Sequence, residues 1–169
     1  MERLFSPWRS KYIASFKNQK NNDECIFCKA LNSKNDKKNL ILFRSKNCFA
    51  MLNLYPYNNG HIMIVPNKHV DSLSLLPAKV YSEILSTINK TIKLLDKAIK
   101  PQGYNIGANF GRVAGAGIEN HIHFHIVPRW NGDTNFMPVL NDVKLVSEGF
   151  NKTYQKLISA LKKTTRKKK

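Results

Sequence analysis

The sequence predicts an α+β domain built on an antiparallel sheet, and three observations carry that prediction. Several short segments with strand character flank one long helical pattern, with no alternation of strand and helix units. The segment Tyr55-Pro56-Tyr57-Asn58-Asn59-Gly60 is a turn that joins two of those strands directly. Residues 104–110 and 121–127 alternate apolar and polar positions with the period of a half-buried strand.

Taken in order, residues 1–24 read as an extended arm containing Pro7-Trp8-Arg9, and 29–39 as a polar loop. Strands follow at Leu40–Phe43 and Cys48–Leu54, and the turn then leads into a third strand, His61–Pro66. The spacing of Val80, Ile84, Ile88, Ile92, Leu95 and Ile99 marks one face of a helix over Ala78–Lys100. Pro77 suits its first turn, and Pro101 and Gly103 end it. The strands Tyr104–Phe110 and His121–Val127 come next, separated by the small-residue loop Gly111 to Gly117. A weaker helical pattern over Lys144–Leu161 closes the domain. The organisation is thus an arm at 1–24, one domain at 25–161 and a basic tail at 162–169, which should be solvated and frayed.

At 169 residues, 42% of them hydrophobic, the chain can bury a core of its own. No apolar run approaches the roughly 18 residues of a membrane span, and no secretory leader is visible, so the expected location is cytoplasmic and no membrane partner is expected. The formal net charge is +17, and six of the cations lie between Lys162 and Lys169. Such a field attracts anions: nucleotides, and through the tail a weak nucleic-acid contact. Charge alone does not choose among these, because a compositional bias toward Lys and Asn produces the same field. Three cysteines exclude a disulfide scaffold. Cys25-x-x-Cys28 taken alone reads as a redox pair, a metal half-site or two small buried residues, and Cys48 as a buried thiol in a strand.

The strongest signal is His121-Ile122-His123-Phe124-His125, which places three imidazoles on one strand face and Ile122, Phe124 and Ile126 on the other. His121 and His125 stand about 13 Å apart along a strand, so the three do not share one metal. A row of imidazoles beside a glycine-rich loop suits an anionic phosphate.

With Pro128-Arg129 after it, this run resembles the signature of the histidine triad family. Asn53, Gly60-His61, Val65-Pro66-x-x-His69 and Asn109 stand where other recurring residues of that family do. The resemblance spans about Ser6 to Asp142. Ser6-Pro7-Trp8-Arg9, the Tyr55–His61 run and Pro128-Arg129-Trp130-x-Gly132-Asp133-x-Asn135-Phe136 are most similar to the diadenosine tetraphosphate hydrolase and phosphorylase branch. The resemblance implies nucleotidyl transfer in two steps, with His123 as nucleophile, His125 as donor to the phosphate or leaving group, and His121 completing the catalytic row. It implies substrate contacts from Asn53, His61, Asn109 and the backbone N–H groups of Gly115, Ala116 and Gly117, with Trp130 as a wall for a base. It also implies a structural zinc on Cys25, Cys28, His69 and His121, and a homodimer. That branch often carries a hydroxyl residue where Gly117 stands; its absence removes a phosphate donor and favours water as acceptor. Phosphorolysis of the same substrate and hydrolysis of nucleoside phosphoramidates are the rivals within the family. A zinc-braced nucleic-acid-binding module is the rival outside it, but binding alone does not need a histidine row. A catalytic metallohydrolase is disfavoured, because only Glu119 and Asp133 lie close to the row in sequence.

Overall fold

The computed structural model describes residues 25–133 and 148–166. The arm at 1–24, the stretch 134–147 with Asn135, Phe136 and Asp142, and residues 167–169 lie outside the described residues. In chain order the elements are α1 (Ile26–Asn32), β1 (Ile41–Arg44), β2 (Cys48–Leu52), β3 (Ile62–Pro66), α2 (Ala78–Ile99), β4 (Gly103–Ala108), β5 (Phe124–Arg129) and α3 (Phe150–Arg166). The five strands form one antiparallel sheet in the order β1-β2-β3-β5-β4. The α+β class read from the sequence is the one observed.

Strand alternation gives the sheet two different faces. Ala50, Ile62, Ile64 and Ile126 point to one side, where Val80, Ile84 and Leu95 of α2 and Leu157 of α3 cover them. Phe49, Met63 and Val65 point to the other, and the short α1 packs there through Phe27 and Ala30. His125 lies directly opposite Met63 in the β3–β5 pairing and Gly107 in the β4–β5 pairing, so it belongs to the α1 side.

The turn before β3 needs its own residues. The Asn58 amide donates to the Pro128 carbonyl (3.0 Å) and to Asp133 (2.7 Å), and Asn59 accepts from the Thr153 hydroxyl (2.8 Å). Gly60 sits at φ +73°, where a side chain is strained, and a Cβ there would lie 2.5 Å from Ile99 Cδ1, which would have to shift. The turn therefore fastens β3 to the end of β5 and to α3.

Five sequence expectations need correction. Residues 29–39 are not loop throughout, since α1 runs from Ile26 to Asn32. A seven-residue helix shows little periodicity and is held by tertiary packing, here by Phe27 and Ala30. The strand predicted over His121–Val127 instead spans Phe124–Arg129, because pairing with β3 stops at Ile64↔Phe124 and the Ile122 N–H turns to the Val70 carbonyl (2.7 Å). The strand predicted over Tyr104–Phe110 ends at Ala108, and its supposed buried face is open: Ile106 is 48% and Phe110 45% exposed. β4 is an edge strand, which alternation alone does not reveal. The final helix is Phe150–Arg166, shifted toward the C-terminus from the expected Lys144–Leu161, of which 144–147 lie outside the described residues. Lys162 and Lys163 thus belong to a helix whose Thr164 hydroxyl accepts from Lys97 (3.3 Å), and not to a frayed tail.

Candidate active site and metal centre

Cys25 caps α1 and Cys28 lies one turn on, where the helix repeat brings positions three apart onto one side. His69 follows β3 and His121 precedes β5, and the four ligand atoms gather within 4.8 Å of one another. Cys25 Sγ lies 3.3 Å from His121 Nδ1, Cys28 Sγ 3.3 Å from His69 Nδ1 and 3.7 Å from His121 Nδ1, and the two Nδ1 atoms are 3.1 Å apart. A tetrahedral zinc with two thiolates at ~2.3 Å and two imidazoles at ~2.0–2.1 Å separates its ligand atoms by roughly 3.3–3.8 Å. These four residues could hold such an ion with little movement. His121 Nε2–H donates to the Pro66 carbonyl (2.9 Å), which leaves the Nδ1 lone pair facing the cluster.

The neighbouring imidazoles are oriented by groups that can act in only one way. The Tyr57 backbone N–H donates to His61 Nδ1 (3.1 Å), so the His61 proton sits on Nε2. His61 Nε2–H then donates to His125 Nδ1 (2.9 Å), which puts the His125 proton on Nε2. The Asn53 amide reinforces this order with Nδ2 3.2 Å from His61 Nδ1, its oxygen accepting from the Tyr55 N–H (2.9 Å). His123 runs the opposite way. Its Nδ1–H donates to the His121 carbonyl (2.9 Å), leaving the Nε2 lone pair unprotonated. Burial lowers the His123 pKa from its ordinary value, against the raising effect of that carbonyl. His125 is pushed down to about 4, first by burial and then by the neighbouring His123. Near neutral pH the arrangement therefore presents one basic nitrogen, on His123, beside one N–H donor, on His125, with ring centroids 4.8 Å apart.

The glycine-rich loop supplies fewer donors than the sequence suggested. The Gly115 N–H donates to the Arg112 carbonyl (3.0 Å) and the Ala116 N–H to the Gly111 carbonyl (3.2 Å), so both are engaged within the loop. Of the three expected phosphate donors, only the Gly117 N–H has no backbone acceptor among the described residues. Asn109 lies against this loop, donating to the Gly115 carbonyl (3.3 Å). Trp130 lies apart from the histidine row. It lies just past the far end of β5, where its indole N–H donates to the Lys100 carbonyl (3.2 Å). It stands five residue steps of ~3.3 Å from His125.

Two residues that the sequence reading passed over belong here. Phe27 packs against the rings of both His121 and His123, and Tyr57 stacks on His61 at 4.8 Å. A position between two candidate ligands was the signal for Phe27; for Tyr57 it was its place in the Tyr55–His61 run.

The HIT domain matches residues 34–132, more than half of the chain. An AP-4-A phosphorylase of Mycobacterium tuberculosis is 32% identical over 152 residues, covering 88% of this chain and 78% of the relative. The chain belongs to the histidine triad family. Among other family members, an adenosine 5'-monophosphoramidase of Schizosaccharomyces pombe is 34% identical over 107 residues, or 63% of this chain and 75% of that protein. The fold is shared with a zinc-bound histidine triad protein from Mycobacterium smegmatis, at TM-score 0.69 and 22% identity, covering 85% of this chain and 96% of the other. Membership makes the chain a nucleotide hydrolase or transferase. Among the described residues no helix is long and apolar enough to cross a membrane.

Proposed function

We propose that the chain cleaves dinucleoside polyphosphates of the diadenosine tetraphosphate type through a nucleotidyl-His123 intermediate, with water as the preferred acceptor. The observation that carries this reading is the fixed proton on His123 Nδ1, which leaves Nε2 with a lone pair at neutral pH. In the first step that lone pair bonds to an α-phosphorus, and the bond from phosphorus to the bridging oxygen breaks. The leaving ATP oxygen takes stabilisation from the His125 Nε2–H. In the second step a water oxygen attacks the same phosphorus, the P–N bond returns its electrons to His123, and AMP leaves as the water proton passes to solvent or to ATP. His61, Asn53 and Tyr57 orient the His125 donor. Asn109 and the Gly117 N–H are the substrate contacts that the loop geometry favours, and Gly115 and Ala116 shape the loop.

Zinc is the ion that this donor set favours, because two thiols and two imidazoles match its tetrahedral preference. When bound it would brace α1 against the segment before β5, with no open position for chemistry. The open edge of β4, with Ile106 and Phe110 exposed, supports a homodimer.

Phosphorolysis is the second reading, favoured by the 32% identical AP-4-A phosphorylase. Product analysis separates the two. Diadenosine tetraphosphate with millimolar radiolabelled phosphate should give AMP and ATP with no label in nucleotide. Labelled ADP as the main product would make phosphate the acceptor.

A further inference from the structure

We propose that Phe27 is a positioning residue for nucleotidyl transfer, a buried wall on the metal-bearing helix that sets the tilt of the His123 ring. This rests on the reading of His123 as nucleophile. Phe27 is 1% exposed and stands in the first turn of α1, between the two cysteines of the metal cluster. Its ring centroid lies 4.9 Å from that of His123 at an interplanar angle of 51°, and 5.3 Å from that of His121 at 74°. Among the described residues the His123 ring has one hydrogen bond, from Nδ1 to the His121 carbonyl. A single bond at one corner fixes the proton but leaves the ring free to swing, since χ2 of histidine is intrinsically broad. The tilted contact with Phe27 and the edge contact with His125, at 4.8 Å and 75°, close off that swing. Attack on phosphorus needs the Nε2 lone pair aligned with the breaking bond, so a small tilt costs rate and not affinity.

The same helix turn therefore does two things. Its thiols could hold an ion beside His121, and the side chain between them holds the next imidazole along. A purely structural Phe27 would affect stability and metal content alone, and a Phe27 that touched the base of the substrate would affect KM.

The test compares Phe27→Leu and Phe27→Met in the purified, metal-containing protein. Leu replaces the flat ring with a branched side chain. Met is no larger than Leu, but it is longer and unbranched and makes favourable sulfur contacts to aromatic rings. With diadenosine tetraphosphate, Phe27→Leu should lower kcat about tenfold or more at a KM within twofold of wild type. Phe27→Met should recover to within about threefold. Metal per chain should be unchanged in both. In ¹⁵N-histidine spectra the His123 ring, a single Nδ1–H species in wild type, should become exchange-broadened in Phe27→Leu. Wild-type kcat in metal-loaded Phe27→Leu, or a raised KM at unchanged kcat, would overturn the proposal. His123→Ala in the same assay tells the two readings apart. Retained activity there would remove the nucleophile assignment, whereas an unperturbed His123 spectrum in Phe27→Leu would remove the positioning role itself.

Discussion

The imidazole pairing depends on two carbonyls and one backbone N–H that admit only one direction of hydrogen bonding. The His121 carbonyl sets His123, the Pro66 carbonyl sets His121, and the Tyr57 N–H sets His61 and through it His125. This order holds only while His125 stays neutral, and burial keeps it so down to about pH 4. The unfolded chain binds that proton near pH 6.5, so between pH 6.5 and 4 it holds more protons than the folded one at this position. Stability contributed here is therefore complete above pH 6.5 and lost progressively as pH falls toward 4. His125→Phe removes the titration but keeps a ring. Its melting temperature should fall less than that of wild type between pH 7 and pH 4.5, and parallel declines would show that His125 is not a buried neutral group.

At the scale of the element, the edge strand β4 contributes to the site by what it lacks. Gly107 lies directly opposite His125, and a Cβ there would meet nothing within 4 Å. The fold thus has room for a side chain at this position, and a β-branched residue suits a strand. Gly107→Val should melt within about 1 kcal/mol of wild type yet raise KM for diadenosine tetraphosphate severalfold or more, because the added methyls stand beside the donor imidazole. Wild-type kinetics in this variant would mean that substrate does not pass over Gly107. The strands, the long helix and the turn were legible in the sequence because each carries its own periodicity or turn chemistry. The Val80–Ile99 stripe is one case and Asn58-Asn59-Gly60 another. What was not legible depends on neighbours distant in sequence. Neither the open edge of β4 nor the occupied N–H groups of Gly115 and Ala116 leave a local trace, and the place of Phe27 between two cysteines does not tell which imidazole it meets.

At the scale of the whole molecule, the sheet separates support from chemistry. The α2–α3 side holds the larger apolar core, and the α1 side carries the four residues that could hold a metal ion and the histidines. Only His121 belongs to both the cluster and the row, so losing the metal should loosen the row as well as the fold. Cys28→Ser should abolish stoichiometric zinc in metal analysis, lower the melting temperature and reduce kcat together. Full zinc content in that variant would remove Cys28 from the ligand set. The central claim, that the nucleotide passes through His123, is tested most directly by stereochemistry at the transferred phosphorus. A substrate made chiral at that phosphorus with sulfur and oxygen isotopes is cleaved, and the configuration of the released nucleotide is read. Two in-line displacements, onto His123 and then off it, predict net retention. Net inversion would mean that water attacks the substrate directly, and would contradict the account.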